Sequence, residues 1–323
     1  MKIPLSIREA YDAQIDLNRL LQEVVDGNIR NLKRPRWHYE SRIKELESFA
    51  VKIEAGRARD PKAIEDLFGC TLVVPNSTEL KQAETIIRGS FDVKCQRPMD
   101  PAETSKEATA FPFDDLRLYV TRKNPGALPP TPLDQVVFEI QIKTFLQHAW
   151  GVATHELNYK TDDVRWSKDR IAAHLKAMIE HAELSIQEAA ALSDSEMLSK
   201  TDGPTRILVE IIGVLKAHWV RGDLPDNIRG LAQAVQSILG ALKMRSSDLN
   251  DLLTIEKVAG NGSFDLNLSP YGVIVQGLLR HKTAECSALL GNPDVRVRIV
   301  VSREMQLPAG LKLSGLRNVI MVV

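Results

Sequence analysis

The 323-residue sequence predicts an α+β chain in two parts, 1–195 and 204–323. Three observations predict it. QVVFEIQIK (135–143) alternates apolar and polar residues, the period of a strand with two unlike faces. LFGCTLVV (67–74) is a largely apolar run closed by Pro75-Asn76, as in a buried strand. Segments at 5–28, 164–192, 204–219, 226–243 and 270–283 carry apolar residues at helical spacing instead.

Taken in order, residues 5–28 read as an amphipathic helix with Leu5, Ala10, Ile15, Leu20, Leu21 and Val24 on its apolar side, stopped by Gly27-Asn28. A basic stretch follows: Arg30, Lys33, Arg34, Arg36, Arg42 and Lys44. Residues 49–56 read as a short helix ending near Gly56. After the 67–74 strand, Ser77 or Thr78 caps a helix to about Arg88. Residues 98–110 and 124–132 read as loops, with the strand DLRLYVTRK (115–123) between them. Thr144 precedes Gln147 by three residues, the spacing of a capping box, so the 135–143 strand runs into a helix. Residues 193–204 are a polar break. Ser269-Pro270 is a good start for the 270–283 helix, and strands at 295–302 and 317–323 close the chain.

Lys+Arg and Asp+Glu both total 42, so the balance is neutral, which argues against bulk coating of nucleic acid or anionic membrane. No run approaches the roughly 20 apolar residues of a membrane span, and the first residues lack a signal-peptide pattern. Cys70, Cys95 and Cys286 are odd in number and far apart, which suits a reduced, cytoplasmic protein with thiols acting as small buried groups. Trp150 and Trp166 read as packing residues.

Chemistry concentrates around two strands. Glu139, Gln141 and Lys143 share one face of 135–143, while Asp66 directly precedes 67–74. If these strands are neighbours, Asp66 and Glu139 converge at one sheet end. Two carboxylates there make a hard-oxygen site suited to magnesium and phosphate chemistry. Arg42, Lys44, Lys52, Arg57 and Arg59 supply positive charge upstream. Taken alone, each feature is also compatible with a solvated strand or helix face. His148 and His155 share a helix face, but two histidines without a third ligand do not make a zinc site.

RIKELES (42–48), EDLFGCTLVV (65–74) and above all EIQIKTFLQHAWGVATHELNYK (139–160) resemble the RelA/SpoT nucleotidyltransferase domain over about residues 30–165. The resemblance implies a mixed β-sheet flanked by helices. It implies an ATP pyrophosphokinase, magnesium-dependent, that moves the β,γ-pyrophosphate of ATP to the 3′-hydroxyl of GDP or GTP to make (p)ppGpp. By the same resemblance Arg42, Lys44, Ser48, Lys52, Arg57 and Arg59 bind ATP. Asp66 and Glu139 hold Mg²⁺, with Glu139 activating the acceptor. Phe113, Arg117, Gln141, Lys143 and His155 face the acceptor.

The sequence departs from the family pattern at several points. Thr71 stands where the family has arginine, and Thr154 where it has glutamate. In FPFDDLRLYV (111–120), Phe113 takes the place of a stacking tyrosine, Asp114 that of a basic residue and Arg117 that of a histidine. Two alternatives therefore stay open. One is a toxin or anti-phage effector that pyrophosphorylates tRNA 3′ ends or adenosine nucleotides, with the basic stretch 30–44 holding RNA. The other is a degenerate domain that binds nucleotide and signals. No His-Asp pair, the mark of the hydrolase domain in long bifunctional members, occurs in the sequence. For 204–323, a packing domain, a regulator of the nucleotide site and a homo-oligomerisation element all remain readings.

Overall fold

The computed structural model describes residues 1–58, 60–61, 64–99, 115–124, 129–158, 165–311, 313 and 315–322, and only the backbone of 155–158. They form two units, Met1–Leu198 and Ser199–Val323.

The first unit is built on a five-stranded sheet of order β1-β2-β5-β4-β3, comprising β1 (His38–Ile43), β2 (Phe68–Val74), β3 (Phe91–Arg97), β4 (Leu116–Arg122) and β5 (Phe138–Thr144). The sheet is mixed: β2 and β5 run parallel, and the other neighbours are antiparallel. The strands are two-faced. Phe68, Cys70, Leu72 and Val74 of β2 are buried with Phe138, Ile140 and Ile142 of β5 and Leu118 and Val120 of β4. Their cover is α1 (Leu5–Leu32), through Leu21, Val25 and Ile29, and α3 (Leu80–Ser90), through Ala83 and Ile87.

Helix α1 runs past Gly27-Asn28 to Leu32, and its buried stripe is Ile15, Asn18, Leu21, Val25 and Ile29, whereas Leu20 and Val24 are exposed. Tertiary packing along the stripe outweighs the weak helix propensity of one glycine. Asn76, not Ser77 or Thr78, caps the turn before α3: its side chain accepts from Thr78 N at 3.1 Å. Strands β1 and β3 correct the sequence reading, which saw only a basic stretch at 30–44 and no strand at 91–97. Both are edge strands. Their polar sequences pair on one side only, so they lack the apolar run that marks an inner strand.

Helix α2 (Leu46–Glu54) packs on α1 through Phe49, which sits edge-on to Tyr11 at 5.3 Å in a small cluster with Ile64 and Leu67. It ends in a Schellman turn. Gly56 adopts φ +66°, Arg57 N donates to Lys52 O at 3.0 Å, and Gly56 N to Ile53 O at 2.9 Å. The capping box at the start of α4 (Phe145–Asn158) is formed in both directions: Gln147 N donates to Thr144 Oγ1 at 3.1 Å, and Thr144 N to Gln147 Oε1 at 3.0 Å. Helices α5 (Trp166–Gln187) and α6 (Ala189–Ser193) complete the unit. Trp166 is 78% exposed, not packed, while Trp150 lies under the Lys176 ammonium at 4.1 Å.

The second unit contains α7 (Gly203–His218), α8 (Ile228–Ala241), α9 (Ser246–Ala259), α10 (Pro270–His281), α11 (Thr283–Gly291) and the parallel pair β6 (Ile299–Ser302) and β7 (Val319–Val322). Helix α10 is its axis, with Val273, Ile274, Val275, Leu278 and Leu279 all buried. Ser269 caps it, accepting from Gly272 N at 3.1 Å. Gly277 lets α9 approach closely, since a Cβ there would lie 3.1 Å from Glu256 Cγ. Glu256 itself is buried between Arg280 (3.2 Å) and His281 (2.9 Å). Cys70 and Cys286 are buried, but Cys95, on edge strand β3, is exposed. No helix among the described residues is long and apolar enough to cross a membrane.

Phe49 is fully buried and joins α1 to α2. Phe49→Ala should lower the stability of the first unit by about 3–5 kcal/mol, read from urea unfolding followed by far-UV circular dichroism.

Candidate active site

The sheet face opposite the α1–α3 core carries the polar residues. Side chains of directly paired residues share a face, so the register places Arg42, Gly69, Glu139 and Tyr119 in one row across β1, β2, β5 and β4. The next row holds Glu40, Thr71, Gln141, Arg117 and Arg97. Gly69 has no side chain between Arg42 and Glu139, and a Cβ built there would meet nothing closer than Glu139 O at 3.8 Å. The row thus contains a gap walled by a cation on one side and a carboxylate on the other.

Because β2 and β5 are parallel, Asp66, just before β2, and Glu139, near the start of β5, lie at the same end of the sheet. Lys44 leaves β1 at that end. Its N–H bonds Leu67 O at 2.7 Å, and its carbonyl accepts from Tyr11 Oη at 3.1 Å. Lys44 Nζ stands 3.1 Å from Asp66 Oδ2, and Lys52 Nζ, from the last turn of α2, stands 2.8 Å from Oδ1. Burial pushes the Asp66 carboxyl up, but the two ammonium groups outweigh it and hold the carboxyl below its usual range. Oδ1 is buried, and its Lys52 contact is close but not aligned as a hydrogen bond. Arg42 is exposed and has no ion-pair partner among the described residues. Ser48 lies in the first turn of α2 and Arg57 just past its Schellman turn, both exposed. Arg59 lies outside the described residues.

Glu139 is buried at 7% exposure and held at both oxygens. Tyr119 Oη donates to Oε2 at 2.8 Å, and Gln141 Nε2 donates to Oε1. Burial, and then the bond to Glu139, push the Tyr119 phenol up, so it stays a neutral donor. A carboxylate has about four lone-pair positions, so two hydrogen bonds orient Glu139 and leave capacity for more.

At the other side of Glu139, Lys143 Nζ lies 3.1 Å from Asp115 and Arg117 Nη2 3.8 Å from the same carboxylate. Arg97 sits opposite Arg117 on β3 and over the Tyr119 ring at 5.1 Å. Two arginines paired directly across strands repel unless an anion joins them. Phe113 lies outside the described residues. His155 lies in α4, but its side chain is outside them. Sequence reasoning missed Tyr119 and Arg97. Tyr119 looked like one more residue of an apolar strand, and Arg97 sat in a segment not read as a strand at all. Thr71 occupies the polar face between Glu40 and Gln141, and the Thr154 hydroxyl is buried and donates to Trp150 O at 2.8 Å.

Residues 41–164 match the model of the region found in RelA / SpoT proteins. Over this segment, somewhat more than a third of the chain, the sequence is similar to that region. Among solved structures, the chain is similar to the small alarmone synthetase 1 from Bacillus subtilis, with 16% identity over 56% of this chain and 96% of that one at a TM-score of 0.46. That protein has also been solved bound to its product pppGpp and, separately, to AMPCPP. A GTP pyrophosphokinase family protein from Streptococcus pneumoniae is 21% identical over 60% of this chain and all of its own, with a TM-score of 0.39. No curated protein matches. The matched segment takes in all the named polar-face residues of β2, β4 and β5, but only Arg42 of those on β1.

The lowered Asp66 pKa has a definite pH consequence. Its ion pairs stabilise the fold above the ordinary carboxylate range near pH 4, and that contribution fades as pH falls through the lower folded value. Urea titrations at stepped pH should therefore show Asp66→Asn less stable than the parent at neutral pH, with the gap closing in strong acid.

Proposed function

We propose that the first unit is a magnesium-dependent ATP pyrophosphokinase that transfers the β,γ-pyrophosphate to the 3′-hydroxyl of a nucleotide, GDP or GTP first among candidates. The observation that carries this reading is the position of Glu139 between two cationic groups on one face. Arg42, Lys44 and Lys52 lie toward the Asp66 end, with Arg57 just past α2, and Arg97, Arg117 and Lys143 lie on the Gln141 side. A reaction joining two phosphate-bearing substrates needs two such groups with a base between them.

In this scheme the ATP triphosphate lies along Arg42 and the gap over Gly69, with Lys44 and Lys52 turning from Asp66 toward phosphate oxygens. The acceptor's phosphates neutralise the Arg97–Arg117 pair and Lys143. The acceptor 3′-oxygen attacks the β-phosphorus, an O–P bond forms, and the bond from the β-phosphorus to the oxygen of AMP breaks. Glu139 takes the hydroxyl proton, held for that role by Tyr119 and Gln141. Phe113 and His155 keep their proposed places beside the acceptor, and Ser48 and Arg59 theirs beside ATP.

The residues suit magnesium. Asp66 and Glu139 offer only oxygen donors at one sheet end, and the buried Asp66 Oδ1 has no aligned hydrogen bond. When bound, the ion neutralises charge on the phosphate oxygens. The altered 111–120 stretch, with Arg117 in place of histidine, supports a second acceptor class, tRNA 3′ ends or adenosine nucleotides, as in a toxin or anti-phage effector, whereas Thr71 and Thr154 support a domain that binds nucleotide without turnover. The oligomeric state and any regulatory role of 204–323 stay with the same proposal.

Labelled ATP incubated with GDP, GTP, ADP and tRNA tests both readings. Label passing to a guanosine nucleotide with AMP released supports the first. Label in tRNA or an adenosine nucleotide alone replaces the acceptor. AMP release with no acceptor, or ATP bound without turnover, removes the pyrophosphokinase. Glu139→Gln should keep the fold and cut AMP release by at least about 10²-fold, the scale of one lost acid–base group. Tyr119→Phe should lower kcat by about tenfold with KM for ATP little changed, because it frees the orientation of Glu139 and leaves the binding groups intact.

A further inference from the structure

The polar face carries one cluster that the proposed reaction does not use. His38 and Glu40 are two residues apart on edge strand β1, so they point the same way. His148 reaches them from α4, one turn past the capping box that fixes how that helix leaves β5. One ligand atom from each residue lies within 4.8 Å of the other two. His148 Nδ1 is 3.9 Å from Glu40 Oε1, and the two imidazoles stand 5.9 Å apart at 43°.

We propose that His38, Glu40 and His148 form a site for a divalent transition-metal ion, zinc fitting best, that ties α4 to the edge strand β1. The 3.9 Å separation is too long for a hydrogen bond, so the imidazole does not satisfy the carboxylate. It is close to what a shared ion needs: atoms about 2.1 Å from one tetrahedral zinc lie about 3.4 Å apart. His38 and Glu40 are exposed and have no side-chain hydrogen bond, ion pair or ring contact other than with His148 among the described residues, so small rotations close the difference. Two neutral imidazoles and one carboxylate carry one negative charge, complementary to a dication. This donor set separates the site from the oxygen-only pair Asp66 and Glu139, because imidazole selects zinc and its neighbours over magnesium. Three protein ligands leave a fourth position for water. The ion would fasten the helix that carries His155 to the strand that carries Arg42.

The test uses the metal-free full chain, titrated with zinc chloride by calorimetry and with Co²⁺ followed by visible absorption. The parent should bind one equivalent of zinc and give the d–d bands of Co²⁺ held by nitrogen and oxygen. His38→Gln and His148→Gln should each weaken zinc binding at least tenfold. Cys95→Ser, which removes the exposed thiol, should leave it unchanged. Zinc should also raise the melting temperature of the parent and not that of His148→Gln. His38 is exposed, so its variant reports even if His148→Gln folds poorly. Absence of zinc binding, or affinity equal in the parent and both histidine variants, would overturn the site. None of these readouts depends on transferase activity, so the site and the pyrophosphokinase stand or fall separately.

Discussion

The parallel pairing of β2 with β5 is the constraint on which the site depends. Gly69 opposite Glu139 fixes three things together. It brings Asp66 and Glu139 to one sheet end, leaves a gap beside Glu139, and puts Arg42 at the far wall of that gap through the β1 pairing. A one-residue slip would turn Glu139, Gln141 and Lys143 into the α1–α3 core and bring Ile140 and Ile142 out. The apolar residues therefore hold the register, and the register in turn places the polar ones. Burial on one face sets the chemistry on the other.

Electrostatics completes what the register begins. The Asp66 carboxyl is held below its usual range despite burial because Lys44, just past β1, and Lys52 of α2 converge on it, and both are fixed by packing: Phe49 against Tyr11, and Tyr11 against the Lys44 carbonyl. Glu139 is held by hydrogen bonds from a phenol and an amide, not by an ion pair, among the described residues. The two carboxylates thus have different surroundings, one paired with two ammonium groups and one oriented by neutral donors. In the proposed reaction both would face the magnesium ion, and the neutral donors around Glu139 would leave that carboxylate the one to take the proton.

Much of this was legible before the structure. The alternation over 135–143 identified β5 and its polar face, because period two has a single structural meaning when it runs that long. The apolar run at 67–74 gave β2, and the Thr144–Gln147 spacing gave the start of α4 through a motif whose two hydrogen bonds are local. What escaped was nonlocal. Strands β1 and β3 pair on one side and carry charged residues, so His38–Ile43 read as a basic stretch and Phe91–Arg97 as nothing. With them went the Arg97–Arg117 pair, the bond from Tyr119 to Glu139 and the His38–Glu40–His148 cluster, all of which need the strand order to be seen. Trp166 and Cys95 were misjudged because residue type alone does not say which side of an element faces out.

The central claim is that a single cleft over Gly69, walled by Arg42 and Glu139 and floored by the β2–β5 pair, receives the triphosphate. A crystal structure of the full chain with a non-hydrolysable ATP analogue and magnesium tests it most directly. The account predicts phosphate density over Gly69, the Arg42 guanidinium in contact with it, and Lys44 or Lys52 moved off Asp66. An analogue seated elsewhere, with the lysines still on Asp66 and the gap beside Glu139 empty, would contradict it.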